Sequence, residues 1–575
     1  MAGPAQVPDV DLSPDNWKAD YDRFMEAQLI DRTEAGVASG TNGAVTVAYN
    51  GLAARAGLEA LKQGGNAIDA ALTTALTQVA LTGGAPVSYF GIMSLVYYDA
   101  ASGRVHTMNA EWNTVLAEDE PFSIPGGVDM TSPDGMYGTE VSGRTAMVGG
   151  FMKGVGAAHE RFGSLAWDQL FVPAIHVAER GMPVSAKMAG YLASRDADLR
   201  RLAETRATFI KPDGVAYVEG DTLEQPALAE TLRAIGEHGT DYMYRGPWAE
   251  RLVEAVAADG GRMTLEDLER YDVIWGEPLV ASLGGYEVYT NAAPNNGGVA
   301  LVEAQNLARA AGLVADGHWT TSGTALRKAM DITQMFYLDF LPEPMMAQMY
   351  PGLDFSDEAR VRPEHAAELW ERMEAGVKPF TWATPQPGHS DDVVVIDGEG
   401  NIAAITHSIN SVMWGKTAIV VDGITIGDPA SFQQTQLARV EPGDRLPSPT
   451  ETGILFRDGA AVLGFASMGA GLHQRTFQAL LNFTEFGMTV DEAINTPDFF
   501  LGRNTPGTLA LTANVVAGGF SAEVLDATGY AYVEIDPRSA RLQGEGIWVG
   551  ISRDPKTGEL RAASHNRNNS AALAY

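Results

Sequence analysis

The sequence contains no cysteine. That removes disulfides, thiolate catalysis and Cys-ligated zinc together, and leaves the redox compartment open. Basic residues are scarce, with 40 Lys and Arg against 73 Asp and Glu, a formal net charge of −33 and no Lys/Arg-rich block. A surface of that sign disfavours nucleic acid and anionic membrane as partners and reads as solubility or as adaptation to salt. No apolar run approaches the length of about 18 residues that a membrane span needs, and the segment Met1 to Asp20 has neither a basic n-region nor an apolar h-region. No membrane anchor is expected. A mature exported form with a starting Met in place of its leader would read the same, so cytoplasmic and periplasmic or secreted locations both stay open. Missing too are H-E-x-x-H and G-x-S-x-G, which disfavours zincin and α/β-hydrolase chemistry. Gly415-Lys416-Thr417 ends like a P-loop but has Asn410 where the first Gly belongs, and Asp397-Gly-Glu-Gly-Asn401 fails as a calcium loop at Ile402. No metal and no cofactor is expected.

What is present is ample material for a large core: 575 residues, 45% of them hydrophobic. Leu52 to Leu61 has helical periodicity and runs into the stop signal Gly64-Gly65-Asn66. Ala67 to Leu81 then predicts a nearly all-apolar, buried helix. Ile92 to Tyr98 and Val105 to Met108 read as a hairpin across the turn Asp99 to Gly103. Residues 150 to 275 read mainly as helix, including an N-capped start at Thr264. The proline-rich residues 342 to 391 read as a linker. Beyond them come strands at Val393–Ile396, Ile402–Ile409, Ala418–Ile426, Gly453–Phe456 and Ala461–Phe465, then a helix at Thr476–Phe486. The last strands surround Gly546–Ser552 and Leu560–Ala563. Helices mixed with antiparallel strands predict sheets covered by helices, the layered α+β class.

One stretch carries chemistry. Asp397-Gly-Glu-Gly-Asn401 is a turn between two strands, and a hairpin centred on Glu399 places Ser390 opposite Ser408. A slip of one residue would send these side chains to opposite faces. Asp391 and Asp392, at the head of an otherwise apolar strand, suggest a start that is solvated or functional rather than core. His389 and His407 flank the same place with no role assigned. On local pattern alone, a Ser at a strand start is also an ordinary residue.

Six ordered motifs go further. Gln63-Gly-Gly-Asn-Ala-Ile-Asp-Ala-Ala71, Tyr244-Arg-Gly-Pro247, Met263 to Tyr271, Gly285-Tyr-Glu-Val-Tyr289, Pro294-Asn-Asn-Gly-Gly298 and Asp554 to Leu560 span nearly the whole chain. Together they resemble the gamma-glutamyltranspeptidase family of the N-terminal-nucleophile hydrolases. The resemblance implies a four-layer αββα sandwich made as a precursor (a zymogen), which cuts itself before the nucleophile. Here that bond would be His389–Ser390, giving a large subunit 1–389 and a small subunit 390–575 paired as a heterodimer. It places Ser390 where the family carries Thr, Ser408 on the hydroxyl that bonds the nucleophile, and Asn410 on a substrate-contacting Asn. It places Gly469 and Ala470, in Ser467-Met-Gly-Ala470, on the amides of the oxyanion hole. A Ser hydroxyl needs a base, and the α-amine freed by cleavage, with a pKa of about 7.7 to 8.0, supplies one.

The family's substrate-reading elements are where this chain departs. The segment expected to carry a carboxylate-binding Arg is Met108-Asn-Ala-Glu-Trp-Asn-Thr114, and Glu111 would repel a carboxylate. Paired acids that read the glutamyl amine are replaced by Ile426-Gly-Asp-Pro-Ala-Ser-Phe432, a tandem Ser pair is reduced to Ser448-Pro449, and a Gly-rich motif has become Ser88-Tyr-Phe-Gly91. The expected function is therefore a self-processing N-terminal-serine amidohydrolase or acylase acting on a small amide that is not γ-glutamyl. Glu111, Trp112, Ser448 and His473 are candidate pocket residues, with ordinary surface or packing roles the alternative for Glu111, Trp112 and His473. The competing readings are a γ-glutamyl transferase or hydrolase, a hydrolase of C–C or another unusual bond, and a non-catalytic homologue.

Overall fold

Helix boundaries fall where the sequence supplies caps. Asn66 Oδ1 accepts from the amides of Ile68 and Asp69, and the Asp69 carboxylate accepts from the Asn66 amide, a full capping box that opens the helix Ala67–Leu81. All fifteen of its residues are buried, as the unbroken apolar run predicts. The helix Gly51–Lys62 packs beside it, and Thr264 with Asp267 forms a second capping box at Leu265–Glu269. The computed structural model describes residues 10–29, 35–125, 140–341, 343–379, 390–504, 510–536, 546–567 and 569–575.

Two seven-stranded sheets lie face to face. The first runs, edge to edge, Ala571–Ala574, Gly43–Val47, Ser390–Asp397, Ile402–Ser408, Ile92–Asp99, Arg104–Ala110 and Ile274–Gly276. The second runs Gly36–Gly40, Leu560–Ser564, Ile547–Arg553, Ala460–Met468, Glu451–Arg457, Tyr286–Thr290 and Leu279–Leu283. Val394, Ile396, Ile402 and Ala404 of the first sheet pack on Ile454, Ala466 and Val549 of the second to form the core between them. Helices Gly51–Lys62 and Ala67–Leu81 cover the outer face of the first sheet, and Gly297–Ala310 and Leu472–Thr484 that of the second. The result is the four-layer αββα sandwich.

The central hairpin takes the register read from its turn: Ser390 pairs with Ser408, Asp392 with Thr406 and Ile396 with Ile402. Asp397 pins that turn. Its carboxylate accepts from the amides of Glu399 and Asn401, both at 3.0 Å, from the Asn401 side chain at 2.8 Å, and from Ala67 N at 3.0 Å. The turn is thereby tied to the start of the covering helix, and the register is fixed at its closed end.

Three expectations are corrected. Ala418–Ile426 is not one strand: Asp422 (φ 47°) and Gly423 (φ 80°) turn the chain between Val420–Val421 and Ile424–Thr425. An Asp-Gly pair with both φ positive is a hairpin turn. Residues 343–379 of the supposed linker carry the helices Glu343–Met349, Asp357–Arg360 and Pro363–Glu374, while 380–389 lie outside the described residues. Pro363 stands in the first turn of its helix, where a missing N–H costs nothing. Trp370 and Met373 of that helix are buried against Leu307 and Met330 of neighbouring helices. Third, the strand head at Asp391-Asp392 is not solvated, since both side chains are fully buried. His389 lies outside the described residues.

Candidate active site

Ser390 is the first residue of its strand, half-buried, and the strand alternates. Ser390 and Asp392, with their partners Ser408 and Thr406, face the second sheet. The Thr406 hydroxyl donates to Asp392 Oδ1 at 2.6 Å and lies 3.4 Å from the carbonyl of Ser467 on the second sheet. That contact brings the end of the Ala460–Met468 strand against the head of the hairpin. Ser408 is buried, and its Oγ accepts from the Asn410 amide at 2.9 Å. Asn410 holds the left-handed conformation (φ 46°) that turns the chain away from the sheet. Gly91, from the Ser88-Tyr-Phe-Gly91 segment, lies against Ser408: a Cβ there would stand 2.4 Å from the Ser408 carbonyl oxygen.

The other face of the same rungs holds Asp391 and His407. Asp391 Oδ1 accepts from Tyr49 N at 3.1 Å and Asp392 N at 2.9 Å. Burial holds both Asp carboxyls well above the usual carboxylate range, and for Asp391 the neighbouring Asp392 adds to the effect. His407 bonds Gln78 Oε1 through Nε2 at 2.9 Å beside the Phe151 ring, and burial pushes its pKa down to about 3. It is a neutral packing residue and no base.

Past Ser467 the second-sheet strand ends at Gly469 (φ 90°), and the chain passes through Ala470 into the helix Leu472–Thr484. Ser467 Oγ donates to Leu472 O at 3.0 Å and closes this turn. Successive amides at the positive end of a helix suit an oxyanion.

The four candidate pocket residues gather at one side. Glu111 is fully buried; its Oε1 accepts from Thr450 Oγ1 at 3.0 Å, while Oε2 has no partner among the described residues. Burial pushes its pKa up to about 7, against the opposing pull of Thr450, Ser448, Arg445 and Asn295. Trp112 packs its ring on Gly427, and its Nε1 is likewise buried without a partner there, while Ser448 Oγ is buried beside Glu111. His473 pairs with Glu451 and stacks on Phe336. Glu451 stands next to Thr450 and opposite Ser467, so these side chains continue the line that starts at Thr406.

Sequence reasoning missed Thr406, Thr450, Glu451 and Arg445. The signal for Glu451 was an acid opening an apolar strand. Arg445 reaches this region from a different segment, but its donors are taken by Asn113 Oδ1 at 2.7 Å, Asn109 O at 2.8 Å and Asp272 O at 2.5 Å. Asp428, in the segment where the family's paired acids are expected, is buried and engaged by Ser411 Oγ and, at 2.6 Å, Thr417 N. No group of three His, Asp or Glu among the described residues could hold a metal ion.

Comparison with known proteins decides the lineage, since a family model described as Gamma-glutamyltranspeptidase matches residues 53–575. The chain belongs to the gamma-glutamyltranspeptidase family. A glutathione hydrolase proenzyme of Bacillus subtilis (strain 168) is 26% identical over 562 residues, covering 89% of this chain and 92% of that protein. An Acylase ACY 1 proenzyme of Pseudomonas sp. (strain SE83) is also 26% identical, over 474 residues, 80% of this chain and 82% of that one. Among solved structures, a cephalosporin acylase from Bacillus halodurans shares the fold with a TM-score of 0.76 at 22% identity, covering 94% of this chain and 97% of its own. This member of the gamma-glutamyltranspeptidase family is an N-terminal-nucleophile amide hydrolase.

Proposed function

We propose that the chain cuts itself between His389 and Ser390 and then hydrolyses a small-molecule amide through an acyl-enzyme on Ser390. The observation that carries the reading is the rung Ser390–Ser408, with the Gly469–Ala470 turn brought to it by the Thr406–Ser467 contact. In the first step Ser390 Oγ attacks the His389 carbonyl, the acyl group moves from N to O, and water hydrolyses the ester. The products are the His389 carboxylate and the Ser390 α-amine. The relatives' description as proenzymes supports a processed chain of this kind, divided into 1–389 and 390–575.

In the second step the α-amine takes the Ser390 hydroxyl proton as Oγ attacks the substrate carbonyl. Ser408, held by the Asn410 amide, orients Oγ, and the amides of Gly469 and Ala470 receive the oxyanion. The ammonium then gives its proton to the leaving amine, and water releases the acid. Glu111, buried where the family's resemblance would put a carboxylate-binding Arg, supports a substrate other than a γ-glutamyl amide.

Incubation with a slowly hydrolysed acyl anilide followed by rapid acid quenching tests this. The fragment that begins at Ser390 should gain the mass of the acyl group, on Ser390, and the Ser390→Ala chain should gain nothing. Labelling of any other residue would refute the assignment, and rapid turnover of γ-glutamyl anilide would refute the substrate reading.

A further inference from the structure

Resting on that reading of Ser390, the groups around Glu111 carry a statement about the acyl half of the substrate. Ser408 pairs with Ile92, and Met93 with Ala110, so Glu111 stands at the same end of the first sheet as Ser390, three strands across. Strands about 4.8 Å apart put their backbones roughly 14 Å from each other. Side chains stand roughly perpendicular to the sheet, so only a lean of the longer Glu111 side chain toward Ser390, by up to about 5 Å, shortens that span, and the remainder suits a short acyl chain of about four to five atoms. Glu111 faces the second sheet there, since its Oε1 accepts from Thr450, the residue before Glu451.

Within this corner the unpaired buried atoms are two carboxylate oxygens, Glu111 Oε2 and Glu451 Oε2, with Trp112 Nε1 as the donor, while the Ser448 hydroxyl beside Glu111 can donate or accept. The basic side chains already present are committed. Arg445 is bound to Asn109, Asn113 and Asp272 over the Tyr271 ring, and His473 is paired with Glu451. A bound group that satisfies these oxygens must bring hydrogen-bond donors, and buried acidic oxygens favour donors that carry positive charge.

We propose that this corner reads a positively charged amino group at the far end of the acyl chain, with Glu111 as the specificity-determining residue. Amides of short ω-amino acids are then preferred over amides whose acyl group is neutral or ends in a carboxylate.

Four nitroanilides separate the charges: 4-aminobutyryl, butyryl, glutaryl and γ-glutamyl. The cleaved wild-type protein should favour 4-aminobutyryl over butyryl by about 10- to 100-fold in kcat/KM, the worth of a charge-assisted hydrogen bond. Glutaryl should be the poorest of the four. Glu111→Gln, nearly isosteric, should bring the 4-aminobutyryl to butyryl ratio to within about 3-fold, and Ser448→Ala should lower it partway. Glu399→Gln, on the exposed turn, should keep the wild-type ratio. Equal turnover of 4-aminobutyryl and butyryl anilides, or an unchanged ratio in Glu111→Gln, would overturn the proposal. If a cleaved protein turns over none of the four, calorimetry with 4-aminobutyramide and butyramide decides, and equal binding overturns it. Failure of the Ser390 reading shows separately, as a wild-type chain that stays uncut.

Discussion

Glu111 also makes a prediction about stability, independent of any substrate. Its pKa is pushed from 4.5 to about 7 because burial disfavours the charged form more than Thr450, Ser448, Arg445 and Asn295 favour it. A carboxyl whose folded pKa is raised is held most favourably when protonated. Below the unfolded pKa the fold carries no cost from it; the cost grows as pH rises from about 4.5 and levels off above about 7. At about 1.36 kcal/mol per pKa unit that amounts to roughly 3 kcal/mol of stability lost across the window. Glu111→Gln cannot ionise, and its carbonyl oxygen can still accept from Thr450. Urea unfolding of Glu111→Gln and its parent, both on the uncleaved Ser390→Ala chain, measures the difference at pH 5 and pH 8. The variant should gain about 2 to 3 kcal/mol on its parent between those values, since part of the cost is already present at pH 5. A stability difference that stays flat with pH would refute a buried, ionisable Glu111 without a permanent cationic partner.

Ser408→Ala should slow both self-cleavage and anilide turnover by about 100-fold, the cost of letting a nucleophile drift by roughly 1 Å, with little change in KM; steady-state kinetics and a cleavage time course check it. Asp397→Ala removes the acceptor of four hydrogen bonds that tie the hairpin turn to Ala67 N. It should lower stability by about 3 kcal/mol or more and slow self-cleavage with it, measured by denaturation and by gel. His407, buried with its pKa near 3, should show no titration of its ring protons by NMR between pH 5 and 9.

Much of this arrangement is legible in the residues themselves, and where legibility fails the reason is physical. The turn Asp397–Asn401 names its own centre, and period-two alternation then fixes Ser390 opposite Ser408 without knowledge of the rest. Ala67–Leu81 is legible because cap and apolar run agree. Local pattern misleads where one residue type has two uses. Pro363 reads as a linker residue yet starts a helix, and Asp422-Gly423 hides in an apolar run that looks like one strand. Asp391 and Asp392 look solvated because acids are rarely buried, but tertiary partners from Tyr49 and Thr406 keep them inside. The Glu111 corner was legible only as a departure from a family pattern. Its physical character depends on Thr450, Ser448 and Glu451, which come more than three hundred residues later in the chain.

Cleavage of the bond between His389 and Ser390 is read most directly from the intact mass of the purified protein under denaturing conditions. The wild-type protein should give two fragments of 389 and 186 residues, the smaller beginning Ser-Asp-Asp, with Ser390→Ala remaining a single chain of 575. A wild-type protein that hydrolyses amides while uncut, or a Ser390→Ala chain cut at the same place, would contradict it.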